Sequence, residues 1–184
     1  MPVQSDERMV MAYLAGDQEA FSFLVDRHMK HLYNFVLQLV SDRNAAEDIV
    51  QETFVKAWKH LSRFDQSKSF KTWIFAIAKN TAYDHLKRKK TLPFSLFENE
   101  EGENVLENTP AENDHPEDIL DREATKVELE VKLAALTPLY RTILKLHYQE
   151  DLSLHEISEI LGEPYNTVKS RHQRALKNLK ESFV

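Results

Sequence analysis

The sequence contains no cysteine, only three glycines and no long apolar run. The lack of cysteine excludes a disulfide framework, a thiolate metal site and a cysteine nucleophile. A glycine-rich phosphate-binding loop needs several glycines within a few residues, so three scattered glycines exclude it. No apolar segment approaches the roughly 18 residues of a membrane span, and the N-terminus shows no signal peptide. These absences predict a soluble, cytoplasmic and helical protein.

Charge is distributed unevenly along the 184 residues, whose formal net charge is −6. Residues 95–120 carry nine acidic and no basic side chains, whereas residues 1–94 carry 14 basic and 11 acidic ones. An acid-rich segment with few apolar residues cannot offset its ordering entropy by burial. We therefore predict an all-α protein with two helical domains, 1–94 and 121–184, joined by a flexible acidic linker. The linker either only tethers the domains or occupies a basic channel on a partner.

The first domain shows helical apolar spacing over residues 6–15, 17–40, 45–61 and 70–90, with a polar loop over 62–69. We expect Trp58 and Trp73 in its core and Asp17 as a helix cap. The outward face of the last helix interleaves cations, an amide and an aromatic ring: Lys71, Lys79, Asn80, Tyr83, Lys87 and Arg88. Cations attract phosphates and aromatic rings stack on unpaired bases, which favours a nucleic-acid surface. Basic residues at a helix C-terminus also complement the helix dipole, which is the simpler interpretation.

Local signals in the second domain predict a helix-turn-helix. Thr137 followed by Pro138 is a typical helix start. Ser153 and Glu156 have the spacing of a capping box, in which each side chain bonds the backbone amide of the other residue. Gly162 then lies in the turn between two helices.

The final helix of this motif, about 166–182, is strongly basic. It carries five cations and no acid between Tyr165 and Lys180. Such a helix fits the DNA major groove, where cations bind phosphates and short polar side chains reach base edges. The alternative is an exposed basic helix that binds an acidic partner.

The ordered motifs resemble those of the extracytoplasmic-function (ECF) sigma factors of the sigma-70 family, which are bacterial transcription initiation factors. Residues 46–58, AEDIVQETFVKAW, are similar to the family's polymerase-binding helix, and residues 70–89 to its minus-10 reading helix. Residues 152–162 and 164–175 resemble its minus-35 reading helix-turn-helix. The resemblance implies an alternative sigma factor that binds core RNA polymerase, opens the minus-10 element with the first domain and reads minus-35 with the second.

The resemblance also implies roles for individual residues. Contacts to the clamp helices of the largest polymerase subunit would come from Asp48, Gln51, Glu52 and Lys56, while the flap region is a further polymerase contact. Contacts to minus-10 DNA would come from Arg63, Phe64, Lys68, Lys71, Lys79, Asn80, Tyr83, Lys87 and Arg88. Contacts to minus-35 DNA would come from Asn166, Thr167, Lys169, Ser170, Arg171, Gln173, Arg174 and Lys177. No cofactor, metal or small-molecule substrate is implied.

The resemblance implies one more partner, an anti-sigma factor, which in this family is often anchored in the membrane and would hold the protein at the inner membrane face. The chain departs from many family members in having asparagine rather than glycine at position 166. Asparagine tolerates the left-handed conformation nearly as glycine does, so we expect the turn to survive.

Two other functions remain open on the sequence alone. A DNA-binding regulator that acts without polymerase would explain the second domain but would leave the helices of the first without a purpose. A metal-dependent enzyme is disfavoured, because His28 lies on an apolar helix stripe and no His-Glu-x-x-His motif is present. We therefore expect that the protein is not an enzyme.

Overall fold

The computed structural model describes residues 5–89 and 126–183, and within these ranges the chain is helical and contains no strand. The first unit comprises α1 (Asp6–Leu14), α2 (Glu19–Val40), α3 (Arg43–His60), a 3-10 turn (Leu61–Arg63) and α4 (Phe70–Arg88). The second unit comprises α5 (Lys126–Ala135), α6 (Pro138–Tyr148), α7 (Leu154–Leu161) and α8 (Tyr165–Glu181). The all-α prediction is confirmed for this part of the chain. The predicted linker over 95–120 lies outside the described residues.

Side-chain caps start several of the helices. The Asp42 carboxylate accepts a hydrogen bond from the Ala45 amide at 3.1 Å, and the Ser69 hydroxyl accepts one from the Thr72 amide at 3.2 Å. The predicted cap at Asp17 is displaced, because α2 begins two residues later at Glu19. Asp17 instead accepts a hydrogen bond from the Glu19 amide at 3.1 Å, ahead of the helix.

The predicted helix starts of the second unit are confirmed. Pro138 occupies the first turn of α6, and the Thr137 hydroxyl accepts from the Tyr140 amide. The capping box of α7 is complete, since the Ser153 hydroxyl accepts from the Glu156 amide at 3.2 Å and the Glu156 carboxylate accepts from the Ser153 amide at 2.9 Å. The capping box thus gives hydrogen-bond partners to two backbone N–H groups at the start of α7 that have none within the helix.

The core of the first unit lies between α2, α3 and α4. Its fully buried members repeat at helical spacing, as the apolar stripes predict: Leu24, Leu32, Ile49, Phe70, Ile74 and Phe75. One polar cluster joins α1 to α2, where the Asp6 carboxylate contacts Arg27 Nη1 at 2.5 Å and His28 Nε2 at 2.7 Å. Burial alone would raise the pKa of Asp6, but these two partners hold it below its ordinary value.

The prediction that both tryptophans are core residues is wrong for Trp58. Trp73 packs against the core, but Trp58 on α3 is 52% exposed. The Trp58 indole lies over the end of α1, where its Nε1 donates to the Tyr13 hydroxyl at 2.6 Å. An aromatic residue at helical spacing therefore marks a surface contact between two helices here.

The two units share one apolar core. A cluster of buried side chains runs from the first unit into the second and takes in Leu139, Ile143, Leu146, Ile157 and Ile160. It forms because α4 packs against α7 and α2 packs against α6. A smaller cluster, around Leu133, Leu136, Tyr140 and Leu179, joins α5, α6 and α8. No helix in the described ranges is long and apolar enough to cross a membrane.

Candidate functional site

The outer face of α8 presents the expected basic surface. Most members of the minus-35 set are exposed there: Asn166, Lys169, Gln173, Arg174 and Lys177. The left-handed residue of the turn is Gly162, at φ 71°, whereas Asn166 lies inside the helix. The turn is present, as expected, but it does not depend on asparagine adopting the left-handed conformation. The turn is made by glycine, and Asn166 is left on the first turn of the helix that would enter the groove.

Three members of that set are not fully exposed. Thr167 and Ser170 are half-buried, and the Ser170 hydroxyl donates to the Thr167 carbonyl at 2.9 Å, which leaves it less suited to read a base. Arg171 forms an ion pair with Glu163, the residue after the turn glycine. Gln173 and Arg174 make no such contact and are exposed, so both are accessible to a base or a phosphate.

The inner face of α8 contains a histidine that the sequence reasoning did not interpret. His172 is buried, and its ring lies 4.9 Å from that of His147 on α6. Burial and, to a smaller extent, the neighbouring His147 together lower the pKa of His172 to about 4. His172 is therefore neutral near pH 7 and acts as a core residue behind the basic face.

The outward face of α4 is only partly open. Asn80, Lys87 and Arg88 are exposed, but Lys71, Lys79 and Tyr83 are half-buried beside the second unit. Burial raises the pKa of Tyr83 to about 12, an effect that Glu163 reinforces and Arg171 opposes. Burial also lowers the pKa of Lys79. Residues of the minus-10 set thus lie close to residues of the minus-35 set.

The loop before α4 corrects one assignment. Arg63 and Lys68 are exposed as expected, but Phe64 is only 6% exposed. Its ring packs 5.1 Å from that of Trp73 and 5.7 Å from that of Phe70. Phe64 anchors the loop to the core, so its expected contact with bases is not available in this structure.

A stripe of exposed residues runs along α3. Asp48 and Gln51 lie on it, and Val55 and Trp58 continue it at the same helical spacing. Val55 is 47% exposed; sequence reasoning assigned Val55 to neither face of α3 and expected Trp58 in the core, so it missed both apolar members. We call these four residues the α3 stripe.

The other two members of the polymerase set flank the stripe. Glu52 and Lys56 form an ion pair at 2.9 Å, and Lys56 also donates to the Thr81 hydroxyl on α4 at 3.1 Å. The hydrogen bond from Lys56 lowers the pKa of Glu52. Lys56 therefore connects the two helices, besides being partly accessible to a partner.

A helical bundle with an acidic and apolar stripe, followed by a helix-turn-helix with a basic outer face, defines a helical nucleic-acid-binding protein. Two family models match the chain and identify its class more narrowly. The model of Sigma-70 region 2 matches residues 24–91, and the model of Sigma-70, region 4, matches residues 126–179. The ECF RNA polymerase sigma factor SigW of Bacillus subtilis is 34% identical over 172 residues, which cover 91% of each chain. The RNA polymerase sigma-H factor of Pseudomonas aeruginosa is 30% identical and covers 94% of this chain and 90% of its own.

Solved structures also resemble this chain. The chain is similar to CnrH in complex with the cytosolic domain of CnrY, with 25% identity, a TM-score of 0.64 and coverage of 98% of this chain and 97% of that one. It is also similar to the sigma factor RpoE in complex with the anti-sigma factor NepR from Bartonella quintana, with 25% identity and a TM-score of 0.60 over 88% and 94% of the two chains. The protein belongs to the ECF sigma factors of the sigma-70 family.

The family resemblance read from the sequence is thereby confirmed. The chain is a transcription initiation factor that directs RNA polymerase to promoters. The match to region 2 accounts for the first unit, which a regulator acting without polymerase leaves unexplained.

Proposed function

We propose that this sigma factor divides its work among three helices. The α3 stripe binds the clamp helices of core RNA polymerase, α4 with the loop before it binds minus-10 DNA, and α8 reads minus-35 DNA. The domains that carry these surfaces span 1–94 and 121–184, and residues 95–120 link them. The observation that carries the proposal is the separation of charge: the outer face of α8 is basic, whereas α3 exposes Asp48 and Glu47.

The assignment on α8 rests on exposure and helix position. Lys169, Arg174 and Lys177 would hold phosphates, and Gln173 would pair with a base edge, as glutamine does with adenine. Asn166 and Thr167 lie on the first turn, where backbone amides favour phosphate. Arg171 joins the phosphate contacts once it leaves Glu163.

The assignment on α4 rests on the alternation of charge and aromatic surface. Lys79 Nζ lies 5.2 Å from the centre of the Tyr83 ring, and Asn80 is exposed next to them. An aromatic ring beside a cation and an amide can stack on an unpaired base and bond its edge. Extruding a base costs a few kcal/mol, which such contacts must offset. Arg63, Lys68, Lys71, Lys87 and Arg88 would hold the backbone around it.

The same proposal includes a protein that restrains the sigma factor. RpoE from Bartonella quintana was solved in complex with an anti-sigma factor. An anti-sigma factor for this chain would work in the cytoplasm, or at the inner face of the membrane if it is anchored there. Strand opening by flipped bases needs no covalent step, so we propose that the chain is not an enzyme.

Reversing one charge on the α3 stripe tests the polymerase assignment. Asp48 is exposed, so Asp48→Lys leaves the fold intact. Two unit charges about 4 Å apart interact by about 1–4 kcal/mol in partly wet surroundings, so reversal weakens core polymerase binding about tenfold or more. The measurement is co-purification with core polymerase followed by run-off transcription.

The matched control is Asp26→Lys, which makes the same charge change at an exposed position of α2. We expect this variant to bind polymerase normally. Normal assembly of Asp48→Lys, or equal loss in both variants, contradicts the assignment of the α3 stripe.

A further inference from the structure

Two neighbouring acids of α1 reach the residue at which α4 begins. The Glu7 carboxylate accepts a hydrogen bond from the Phe70 amide at 3.2 Å, across 63 positions of the chain. The Asp6 carboxylate lies 2.7 Å from His28 Nε2, and the His28 ring packs 5.6 Å from the Phe70 ring. Both acids precede residues 24–91, which match the region 2 model. α1 therefore holds Phe70 from two sides, through its backbone and through its ring.

Phe70 is in contact with both ends of the segment over residues 64–69, which we call the α4 loop. At the start of the loop, the Phe64 ring packs edge-on at 5.7 Å from the Phe70 ring. At its end, Ser69 caps α4 by accepting from the Thr72 amide, while Glu7 binds the amide of Phe70 itself. The first amides of a helix have no partner within the helix. Glu7 thus supplies a hydrogen-bond acceptor that α4 lacks.

Hydrogen bonds inside the α4 loop fix its turn. The Asp65 carboxylate accepts from the Ser67 amide at 3.0 Å and from the Ser67 hydroxyl at 2.7 Å. The Lys68 amide donates to the Asp65 carbonyl at 3.0 Å. Because the turn is fixed locally, the loop moves mainly as one piece about its two ends. The positions of Arg63 and Lys68, exposed cations that are proposed to hold minus-10 DNA, therefore depend on Phe70.

Glu7 does not have the character of a DNA contact. Its side chain is half-buried against the start of α4, and a carboxylate repels phosphate. It also lies outside the α3 stripe, which is proposed to bind polymerase. An effect of Glu7 on promoter opening therefore passes through Phe70 and the α4 loop.

We propose that Glu7 is a positioning residue for minus-10 capture, which holds Phe70 and thereby sets the α4 loop and the first turn of α4 against the unpaired strand. This inference rests on the proposed role of α4 and its loop in binding minus-10 DNA. Only chains whose loop has the binding arrangement capture the strand. The apparent affinity for that strand therefore falls in proportion to the fraction of chains that keep the arrangement.

The test uses holoenzyme, assembled from core polymerase and the full chain, on a promoter that wild-type holoenzyme selects from genomic fragments by run-off transcription. Permanganate reactivity of unpaired minus-10 thymines measures opening, and co-purification measures polymerase binding. Glu7→Ala removes the hydrogen-bond acceptor, whereas Glu7→Gln keeps a side-chain oxygen that accepts the same bond. The matched control is Glu19→Ala, which removes an exposed glutamate at the start of α2.

We expect Glu7→Ala to lower the equilibrium constant for opening about tenfold, as the loss of a hydrogen bond to a charged group predicts. Glu7→Gln retains most of the wild-type opening, and Glu19→Ala does not change it. On a template whose minus-10 region is already unpaired, Glu7→Ala also binds more weakly than the wild type, because capture rather than melting is impaired. All three variants bind core polymerase as the wild type does.

Three results would overturn the inference. Wild-type opening by Glu7→Ala shows that the contact with Phe70 does not position the loop. Equal losses in Glu7→Ala and Glu7→Gln show that the hydrogen bond is not what matters. Loss of polymerase binding together with opening shows a general loss of the fold instead of a displaced loop.

The proposed function is tested separately by a chain that carries both Arg63→Ala and Asn80→Ala. Both residues are exposed, so their removal changes the surface of α4 and of the segment before it without touching Phe70. Normal opening by this chain contradicts the role of that surface in minus-10 binding. Impaired opening by this chain, with normal opening by Glu7→Ala, overturns only the positioning role of Glu7.

Discussion

Gly162 sets the angle between the two helices of the helix-turn-helix. The structure allows the loss of stability on replacing it by alanine to be worked out. The residue ends α7 at φ 71° and ψ 31°, and its amide donates to the Ser158 carbonyl at 2.9 Å. An L-residue with a Cβ pays about 1–2 kcal/mol in this conformation. An added Cβ would lie 3.7 Å from Lys79 Nζ, which is ordinary van der Waals contact. Backbone strain is therefore the whole expected cost of Gly162→Ala.

Thermal unfolding measures this cost. For a chain of this size, 1 kcal/mol corresponds to about 2–4 °C in Tm, so we expect Gly162→Ala to lower Tm by a few degrees. Minus-35 binding in holoenzyme falls as well, because relief of the strain changes the angle between α7 and α8. The matched control is Gly162→Asn, since asparagine adopts the left-handed conformation at lower cost.

Two results would refute the reasoning. An alanine variant as stable as the wild type would show that position 162 does not require the left-handed conformation in solution. An asparagine variant that loses as much as alanine would show that the side-chain atoms facing Lys79, rather than the backbone, determine the cost.

Two further predictions concern α8 and the Asp6 cluster. Arg174→Ala weakens minus-35 binding on all sequences, whereas Gln173→Ala changes the preferred sequence; selection from a randomised minus-35 library with holoenzyme separates the two, and equal losses on every sequence contradict the division. Asp6→Asn lowers the free energy of unfolding by about 1–2 kcal/mol at neutral pH, because the contacts to Arg27 and His28 lose their charge. The folded-state pKa of Asp6 lies below its ordinary value of 3.8, so its stabilisation is present above that pH and is lost as the pH falls through the folded value. Urea unfolding of wild type and variant at neutral and acidic pH tests this, and a difference that stays constant down to pH 2 would argue against it.

Sequence reasoning succeeded where the signal is local. The capping box of Ser153 and Glu156 and the start at Thr137 depend on residues within one helical turn, so spacing alone predicts them. It failed for Trp58, which was expected in the core but is exposed, and for Phe64, which was expected to contact DNA but is buried. Helical spacing identifies an apolar face but does not say which element covers each end of it.

The contacts between the units could not be predicted in this way. Glu150 meets a lysine 79 positions and a histidine 119 positions earlier in the chain, and no local pattern connects them. Nothing in the local sequence around Glu150 distinguishes it from a glutamate that is exposed to solvent. Most residues that we propose to bind DNA were expected at the surface, but the contacts that Lys71 and Lys79 make with the second unit were not.

The contacts that Lys71 and Lys79 make with the second unit have an evolutionary consequence. Under the proposed role of α4, a substitution at either lysine that strengthens promoter binding also changes how firmly the two units pack together. Promoter affinity and the packing of the two units would then be inherited as one trait at these positions. Asn80 and Arg174 are exposed, so they can vary and adjust promoter affinity alone. New promoter preferences would arise first at such positions, while the residues at the interface remain constrained by two selective pressures.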